Sequence, residues 1–188
     1  MNTSTALTPL TGTNPARQRR AAPYENWRPP IIGVSLLVPI GADSLVVADL
    51  LGGIMIPTGS VHDSQTPEQA ALNVLQGPED GLPLLRRVAL AWVQMRRRKV
   101  ITHVLATAPM TRGEAERLAY HDPRAAVRVL PTMRIVDELP EPGRLRFLVG
   151  LQSLATGETA HIEGDVVRPC SPPDLFDFPR TSQPRARK

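Results

Sequence analysis

The chain has 188 residues and is 41% hydrophobic, which is enough for one domain with a sizeable core. The formal net charge of +4 comes from the ends, because residues 1–30 and 171–188 are basic whereas residues 31–170 carry slightly more acidic than basic groups. No apolar run in the sequence reaches the roughly 18 residues that a membrane-spanning helix needs. Cys170 is the only cysteine, which excludes an intrachain disulfide and a cysteine-based zinc site.

The composition of both ends predicts tails around a single domain. Residues 1–23 are rich in Thr, Asn and Pro, and residues 171–188 are rich in Pro and Arg, so we expect disorder there and a domain at residues 24–170. The chain start lacks the basic and apolar regions of a secretory signal, which favours a cytoplasmic location. Nucleic-acid binding is not expected, because no aromatic residues interleave with the basic ones.

Two strands are predicted at the start of the domain. Ile31–Val38 and Ser44–Leu51 are apolar runs, and Gly41-Ala42-Asp43 between them is typical of a turn, so we expect the two strands to pair as a hairpin. A short apolar segment, Ile54–Ile56, follows. Together these segments predict a β-rich beginning.

A helix is predicted next. Thr favours the N-cap and Pro the first helical position, so Thr66-Pro67 marks the helix start. Pro78 has no N–H and disfavours a helical residue before it, so we expect the helix to end near Gln76.

The second half of the chain continues this alternation. We expect a hairpin of strands joined by a basic turn, a short helix opened by a T-x-x-E capping box, an extended segment, a long helix and a final brief strand. The predicted bounds are Leu84–Met95 and Val100–Ala108 for the hairpin, Arg96–Lys99 for its turn, Thr111–Tyr120 for the short helix, Val127–Val136 for the extended segment, which is broken by Pro131, Pro142–Thr156 for the long helix, and residues after Gly164 for the final strand.

The segment Ile56–Leu82 carries the most specific pattern, IPTGSVHDSQTPEQAALNVLQGPEDGL. It resembles the Nudix box, G-x5-E-x7-R-E-U-x-E-E-x-G-U, in which U is a bulky aliphatic residue. Ile56-Pro57 and Gly59 match the loop that opens the box, and Ala70-Ala71-Leu72 match the buried face of its helix. After one extra residue, Gly81-Leu82 close the box.

The residues that carry the family's chemistry are largely replaced. Gln65 and Asn73 stand where the pattern has Glu and Arg, and Val74 stands where it has the first Glu of the helix. Gly77-Pro78 stand where the pattern has its paired metal-binding Glu residues. These side chains lack the anionic oxygens that displace water from a hard dication. The box therefore keeps its scaffold and loses most of its metal ligands.

The resemblance implies an α+β (α/β) fold of Nudix type, an α/β/α sandwich around a mixed β-sheet, which the order of predicted elements also fits. Nudix enzymes hydrolyse a nucleoside diphosphate linked to another group, with Mg²⁺ or Mn²⁺ held by the box carboxylates. For this chain, the resemblance implies a nucleotide-like or other small-molecule ligand and a homodimer. Mg or Mn is the implied cofactor if enough ligands remain, and the alternative is no cofactor.

Few carboxylates remain as candidates for metal binding and catalysis. Glu79 and Asp80 follow the lost box ligands directly, so they are the candidate metal ligands, and Glu79 is also a candidate catalytic residue. Glu114 is a second catalytic candidate, with Glu116 beside it, because some Nudix enzymes take their base from a loop outside the box. The alternative role for Glu114 is helix capping.

Four further residues are candidate ligand contacts. Gly59 supplies a backbone turn in the box loop. His62 replaces an acidic box position next to Asp63, Arg97 lies in the basic turn that would border the family's cleft, and His103 lies in the middle of a predicted strand.

Three functional hypotheses follow. The first is a Nudix-fold protein without the standard catalytic set, acting as a ligand-binding, regulatory or accessory protein or as an enzyme of altered chemistry. In this hypothesis the family's cleft binds a nucleotide-like or other ligand, or a protein partner. The second is a divergent Mg- or Mn-dependent hydrolase that works from Glu79, Asp80, Asp63, Glu114 or Glu116. The third is an interaction module that works through the basic tails.

Overall fold

The computed structural model describes residues 28–77 and 81–171, which form strands and helices. The elements are β1 (Ile31–Leu37), β2 (Pro39–Ile40), β3 (Ser44–Leu50), β4 (Gly53–Met55), β5 (Thr58–Ser60), α1 (Pro67–Val74), β6 (Leu75–Gln76), β7 (Leu84–Met95), β8 (Arg98–Thr107), α2 (Arg112–Ala115), β9 (Ala119–Tyr120), β10 (Ala125–Pro131), α3 (Thr132–Glu138), α4 (Gly143–Thr156), β11 (Thr159–Glu163) and β12 (Val166–Ser171). In the described ranges, none of the helices combines the length and the apolar character needed to cross a bilayer.

A mixed six-stranded sheet forms the centre of the fold, in the order β12-β11-β7-β8-β1-β5. The pairs β1–β8 and β11–β7 are parallel, and the remaining neighbours are antiparallel. A smaller antiparallel sheet has the order β10-β3-β2, with β4 also pairing with β3. A two-stranded ribbon, β6 with β9, directly follows α1.

Helices cover the sheets on two sides, which confirms the predicted α/β/α sandwich. Helix α4 packs on β7 and β11, and its fully buried Phe147 shares a core with Leu37 and Val104. Helix α1 packs on β5 and β1, and its Ala71 and Val74 belong to a second core. Gly150 brings α4 close to the sheet, because a Cβ there would lie 2.8 Å from the Cδ1 of Leu37.

The helix boundaries follow from local sequence chemistry. Thr66 caps α1 as predicted, and Gln69 completes a capping box because its Oε1 accepts a hydrogen bond from the Thr66 N–H at 2.9 Å. Pro67 occupies the first turn, where its missing N–H costs nothing. Helix α4 is capped at its C-terminal end by Gly157, whose positive φ of 81° is the left-handed conformation that favours glycine.

The predicted first hairpin is only partly correct. Strand β1 lies in the six-stranded sheet, between β8 and β5, and does not pair with β3. The hairpin forms one step later, where β2 pairs with the start of β3 across the predicted turn. The chain changes sheets after Leu37, and a continuous apolar run cannot reveal such a change because both halves are buried.

Several other predicted bounds were wrong. Helix α1 ends at Val74 rather than near Gln76, and α2 ends at Ala115 rather than Tyr120. The segment after Pro131 is helical over Thr132–Glu138, where an extended chain was predicted. Strand β11 was not predicted, whereas β7 has the predicted bounds and the α4 prediction is confirmed to within one residue. The predicted tails lie outside the described residues, except for Ser171 at the end of β12.

Candidate ligand-binding groove

The loop that opens the box becomes an edge strand of the large sheet. Strand β5 pairs with β1, which places Gly59 opposite Val34. A Cβ on Gly59 would lie 2.7 Å from the Cγ2 of Val74, so only glycine fits between this strand and α1. Val74 itself is only 2% exposed. The position that holds the first helix Glu in the family pattern therefore faces the closed interface between α1 and β5.

The end of α1 is held by a strand pair instead of a longer helix. Leu75 and Gln76 pair with Tyr120 and Ala119, and the His121 N–H donates to the Val74 carbonyl at 3.0 Å. The chain after α1 is therefore extended at Leu75–Gln76, directly before the positions where the family pattern has its paired Glu residues. This ribbon also carries residues 120 and 121 to the box loop.

Tyr120 ties that ribbon to the box loop. Its hydroxyl donates to the Thr58 carbonyl at 2.6 Å, and the Thr58 N–H points back to the same oxygen at 3.4 Å. Partial burial raises the pKa of Tyr120, against the opposing effect of its hydrogen bonds to Thr58. The Tyr120 and His121 rings lie 4.3 Å apart between centroids, so both rings form one wall.

A cavity of about 400 Å³ opens between that wall, the strands β5, β1 and β8, and helix α4. Its lining is rich in groups that can bind a polar ligand. They include Ser35, Ser60, Thr102, Tyr120, His121 and Arg146. None of the described residues that line this cavity is acidic.

A second cavity, of about 200 Å³, continues along the same face of the sheet. Its walls are mainly apolar and include Ala91, Val93, Leu145 and Ile162. Val100, Thr102 and Arg146 line both cavities. We call the two connected cavities the α4 groove. The polar half is at the box loop, and the apolar half is near the start of α4.

Arg146 lies where the two halves meet. It projects from the first turns of α4 and is half-buried, and this burial lowers the pKa of its guanidinium. Within the described part of the chain, its buried Nε has no hydrogen-bond partner. Sequence reasoning missed Arg146, Tyr120 and His121, and an arginine inside an otherwise apolar helix face was the available signal for the first of them.

The structure brings one of the predicted ligand contacts, Gly59, to the groove. His62 lies in an exposed loop, where its N–H donates to Gln65 Oε1 at 3.1 Å. Arg97 is exposed in the β7–β8 turn. His103 follows Thr102, which faces the groove, so strand alternation directs the His103 side chain to the opposite face of the sheet.

The predicted catalytic residue Glu114 serves as a helix cap. Its Oε2 accepts hydrogen bonds from the Thr111 N–H and the Thr111 hydroxyl, each at 2.7 Å, which confirms the predicted capping box. These bonds hold the pKa of Glu114 below its usual range. Glu116, at the C-cap of α2, is exposed. Glu79 and Asp80 lie outside the described residues.

The described residues of the box do not fit the metal set of a Nudix hydrolase. Across residues 28–77 and 81–171, no three side chains of His, Cys, Asp and Glu are grouped to hold a metal ion. Asp63 is exposed in a turn, and Glu68 on α1 forms an ion pair with Arg87 at 3.6 Å. Val74 offers no oxygen. No dication site follows from these side chains.

Solved structures that share this architecture include two that are named as Nudix hydrolases. The E. coli ORF135 protein is 13% identical over 71% of this chain and 95% of its own, with a TM-score of 0.52. A NUDIX hydrolase from Nitrosomonas europaea is 11% identical over 73% of this chain and 79% of its own, with a TM-score of 0.52. The M. smegmatis Nudix hydrolase RenU is 19% identical over 69% of this chain and 87% of its own, with a TM-score of 0.50.

No protein-family model and no curated protein sequence matches the chain. The relationship is therefore carried by the fold: an α/β/α sandwich with a box-like loop and helix at the sheet edge. The chain is a Nudix-fold protein, which confirms the relationship that the box predicted.

Proposed function

We propose that this Nudix-fold protein binds a small molecule in the α4 groove and does not carry out the metal-dependent hydrolysis of its fold relatives. Its role would be that of a ligand-binding, regulatory or accessory protein. The groove provides the polar lining and the adjoining apolar pocket that small-molecule sites usually combine.

The observation that carries the proposal is the position of Val74. A carboxylate there would be expected to reach a metal at the box loop, but the side chain is apolar, 2% exposed and packed against Gly59. Helix α1 ends at the same residue. The sequence therefore supplies neither the oxygen nor the next helical turn that a box metal requires.

The class of ligand is inferred from the fold relatives. Two of the similar structures are named as Nudix hydrolases, and enzymes of that class act on nucleoside diphosphate derivatives. A nucleotide-like molecule is therefore the first candidate, on the basis of analogy between folds. The alternative is a divergent hydrolase that holds Mg²⁺ or Mn²⁺ through Glu79 and Asp80.

A turnover assay distinguishes the ligand-binding protein from the divergent hydrolase. The protein is incubated with ADP-ribose, dinucleoside polyphosphates, nucleotide sugars and nucleoside triphosphates, each with Mg²⁺ or Mn²⁺ and each with EDTA, and product release is measured. We expect no turnover above the EDTA blank. Metal-dependent turnover that is lost in Glu79→Gln would establish the hydrolase and overturn the proposal.

Binding is measured on the same compounds. We expect at least one member of the panel to raise the melting temperature of the protein in the presence of EDTA, because a ligand that binds only the folded state stabilises it. A larger effect with Mg²⁺ than with EDTA would instead support a surviving metal site.

A further inference from the structure

Arg146 is an unusual residue for the inside of a groove. Its guanidinium is half-buried between a polar and an apolar cavity, and its Nε is inaccessible to solvent. Arginine stays charged under all ordinary conditions, so this burial costs free energy that a partner anion would normally offset. In the described part of the chain, no carboxylate lies within ion-pair distance of it.

The positive charge of Arg146 is not balanced by an acidic residue on the described wall of the polar cavity. The described residues on the polar cavity wall include no Asp or Glu, and Arg146 is the charged group among them. On the apolar cavity wall, Asp165 is the acidic residue, and it is exposed. The polar half of the groove therefore presents a positive field with hydroxyl donors, which favours an anionic occupant.

The two halves of the groove together define the shape of a ligand. Thr102 and Ser35 line the polar cavity together with Arg146, while Val93, Leu145 and Ile162 line the apolar pocket on the other side. A flat or aromatic body would bury its apolar surface in that pocket. A guanidinium binds phosphate and carboxylate through the same paired N–H geometry.

From this arrangement we infer that the α4 groove selects ligands with a phosphate or carboxylate held by Arg146 and an aromatic body placed in the apolar pocket. This inference rests on the proposed function, which places the ligand in the groove, and it adds the group that recognises the ligand. It also assigns Arg146 as the residue that determines specificity for an anion.

The test follows the side chain itself by NMR. In ¹⁵N-labelled protein, the Nε–H signal of Arg146 is assigned as the one absent from Arg146→Lys. Phenyl phosphate, benzoate and the uncharged benzyl alcohol are titrated separately in EDTA. We expect phenyl phosphate and benzoate to shift this signal and to bind at least about tenfold more tightly than benzyl alcohol, because each adds a charge-assisted hydrogen bond.

Matched variants separate charge from packing. Arg146→Met keeps the apolar stem and should lower anion affinity by about tenfold or more while leaving benzyl alcohol unchanged. Arg146→Lys should keep part of the anion affinity. Arg96→Gln removes the same charge from an exposed turn and should leave binding unchanged.

Three results would overturn the inference: equal affinity for the anions and benzyl alcohol, unchanged anion affinity in Arg146→Met, or no shift of the Arg146 signal with any anion. The first needs only the wild-type protein, so a variant that fails to fold leaves that part of the test intact. Hydrolysis cannot affect benzoate binding in EDTA. A positive turnover assay would therefore remove the proposed function alone, and a failure of these titrations would remove the anion assignment alone.

Discussion

Val74 and Gly59 fit together without space for another carbon atom: a Cβ on Gly59 would lie 2.7 Å from the Cγ2 of Val74. In the family pattern these two positions are the signature glycine and the first helix Glu. In this chain, the glycine is required by the packing of α1 on β5, and its φ is not in the left-handed region. Position 74, where the family pattern has a Glu, is therefore part of the hydrophobic core in this chain.

Gly59→Ala should destabilise the fold by about 1–3 kcal/mol, because overpacking forces α1 and β5 apart. Val74→Ala should cost about 2 kcal/mol by leaving a cavity. The double variant should be more stable than the sum of the two predicts, by about 1 kcal/mol, since the second change makes room for the first. Urea unfolding of the four proteins measures this coupling, and strict additivity would show that the two side chains do not share the contact.

Val74→Glu, which restores the family residue, should destabilise the protein by about 3 kcal/mol or more. A carboxylate at a site that is 2% exposed loses its hydration without gaining a partner. Asn73→Glu is the matched control, because its position is exposed and the change should stay within about 0.5 kcal/mol. Chemical denaturation measures the free energy of unfolding of both variants. Equal values for Val74→Glu and Asn73→Glu would mean that the side chain at position 74 faces solvent.

The sequence was most informative for features that depend on neighbouring residues in the chain. The capping threonines Thr66 and Thr111, the long strand at Leu84–Met95 and the closing helix were all predicted from local chemistry. The pairing of β1 was not predicted correctly, because its partner β8 is distant in the chain. The sequence of a buried strand does not indicate which strand lies beside it.

The groove was harder to predict than the fold. Gly59 was identified from the box, but Arg146 and Tyr120 reach the site only through α4 and the β6–β9 ribbon. Helix α1 ends at Val74, and the next two residues pair with β9 to form that ribbon. Pro78 indicated that the helix would end nearby, but it did not indicate which strand the following residues would pair with. Sites built from separate segments in this way require the tertiary structure.

Asp122 should titrate far below an ordinary carboxyl. Its side chain accepts hydrogen bonds from the Arg124 side chain, at 2.7 Å to one Nη, and from the Arg124 backbone N–H at 3.0 Å, which lowers its pKa to about 2. Because the folded-state pKa is depressed, its contribution to stability is present above the unfolded pKa of about 3.9 and is lost as the pH falls toward 2.

Carboxyl NMR titration tests this value, with Arg124→Gln as the comparison. The pKa of Asp122 should rise toward its ordinary range in that variant, because the side-chain hydrogen bond and the positive charge are both removed. A pKa near 2 that persists in Arg124→Gln would assign the shift to the backbone N–H alone.

Tyr120→Phe should loosen the attachment of the ribbon to the box loop. The tyrosine hydroxyl donates to the Thr58 carbonyl at 2.6 Å, and its removal should cost about 1 kcal/mol. Burial raises the pKa of Tyr120 above its ordinary value of 10.0. The unfolded chain therefore loses this proton at lower pH than the folded chain does, so the contribution of Tyr120 to stability is full below pH 10 and declines as the pH rises through its folded-state pKa.

The chain has two tyrosines, so phenolate absorbance can separate them. The transition that disappears in Tyr120→Phe should have a midpoint above the ordinary tyrosine value of 10.0. Unfolding free energies measured between pH 8 and about 11 should fall less steeply in Tyr120→Phe than in the wild-type protein, because the variant has no raised pKa at this site. Parallel slopes in the two proteins would show that the Tyr120 hydroxyl does not link proton loss to unfolding.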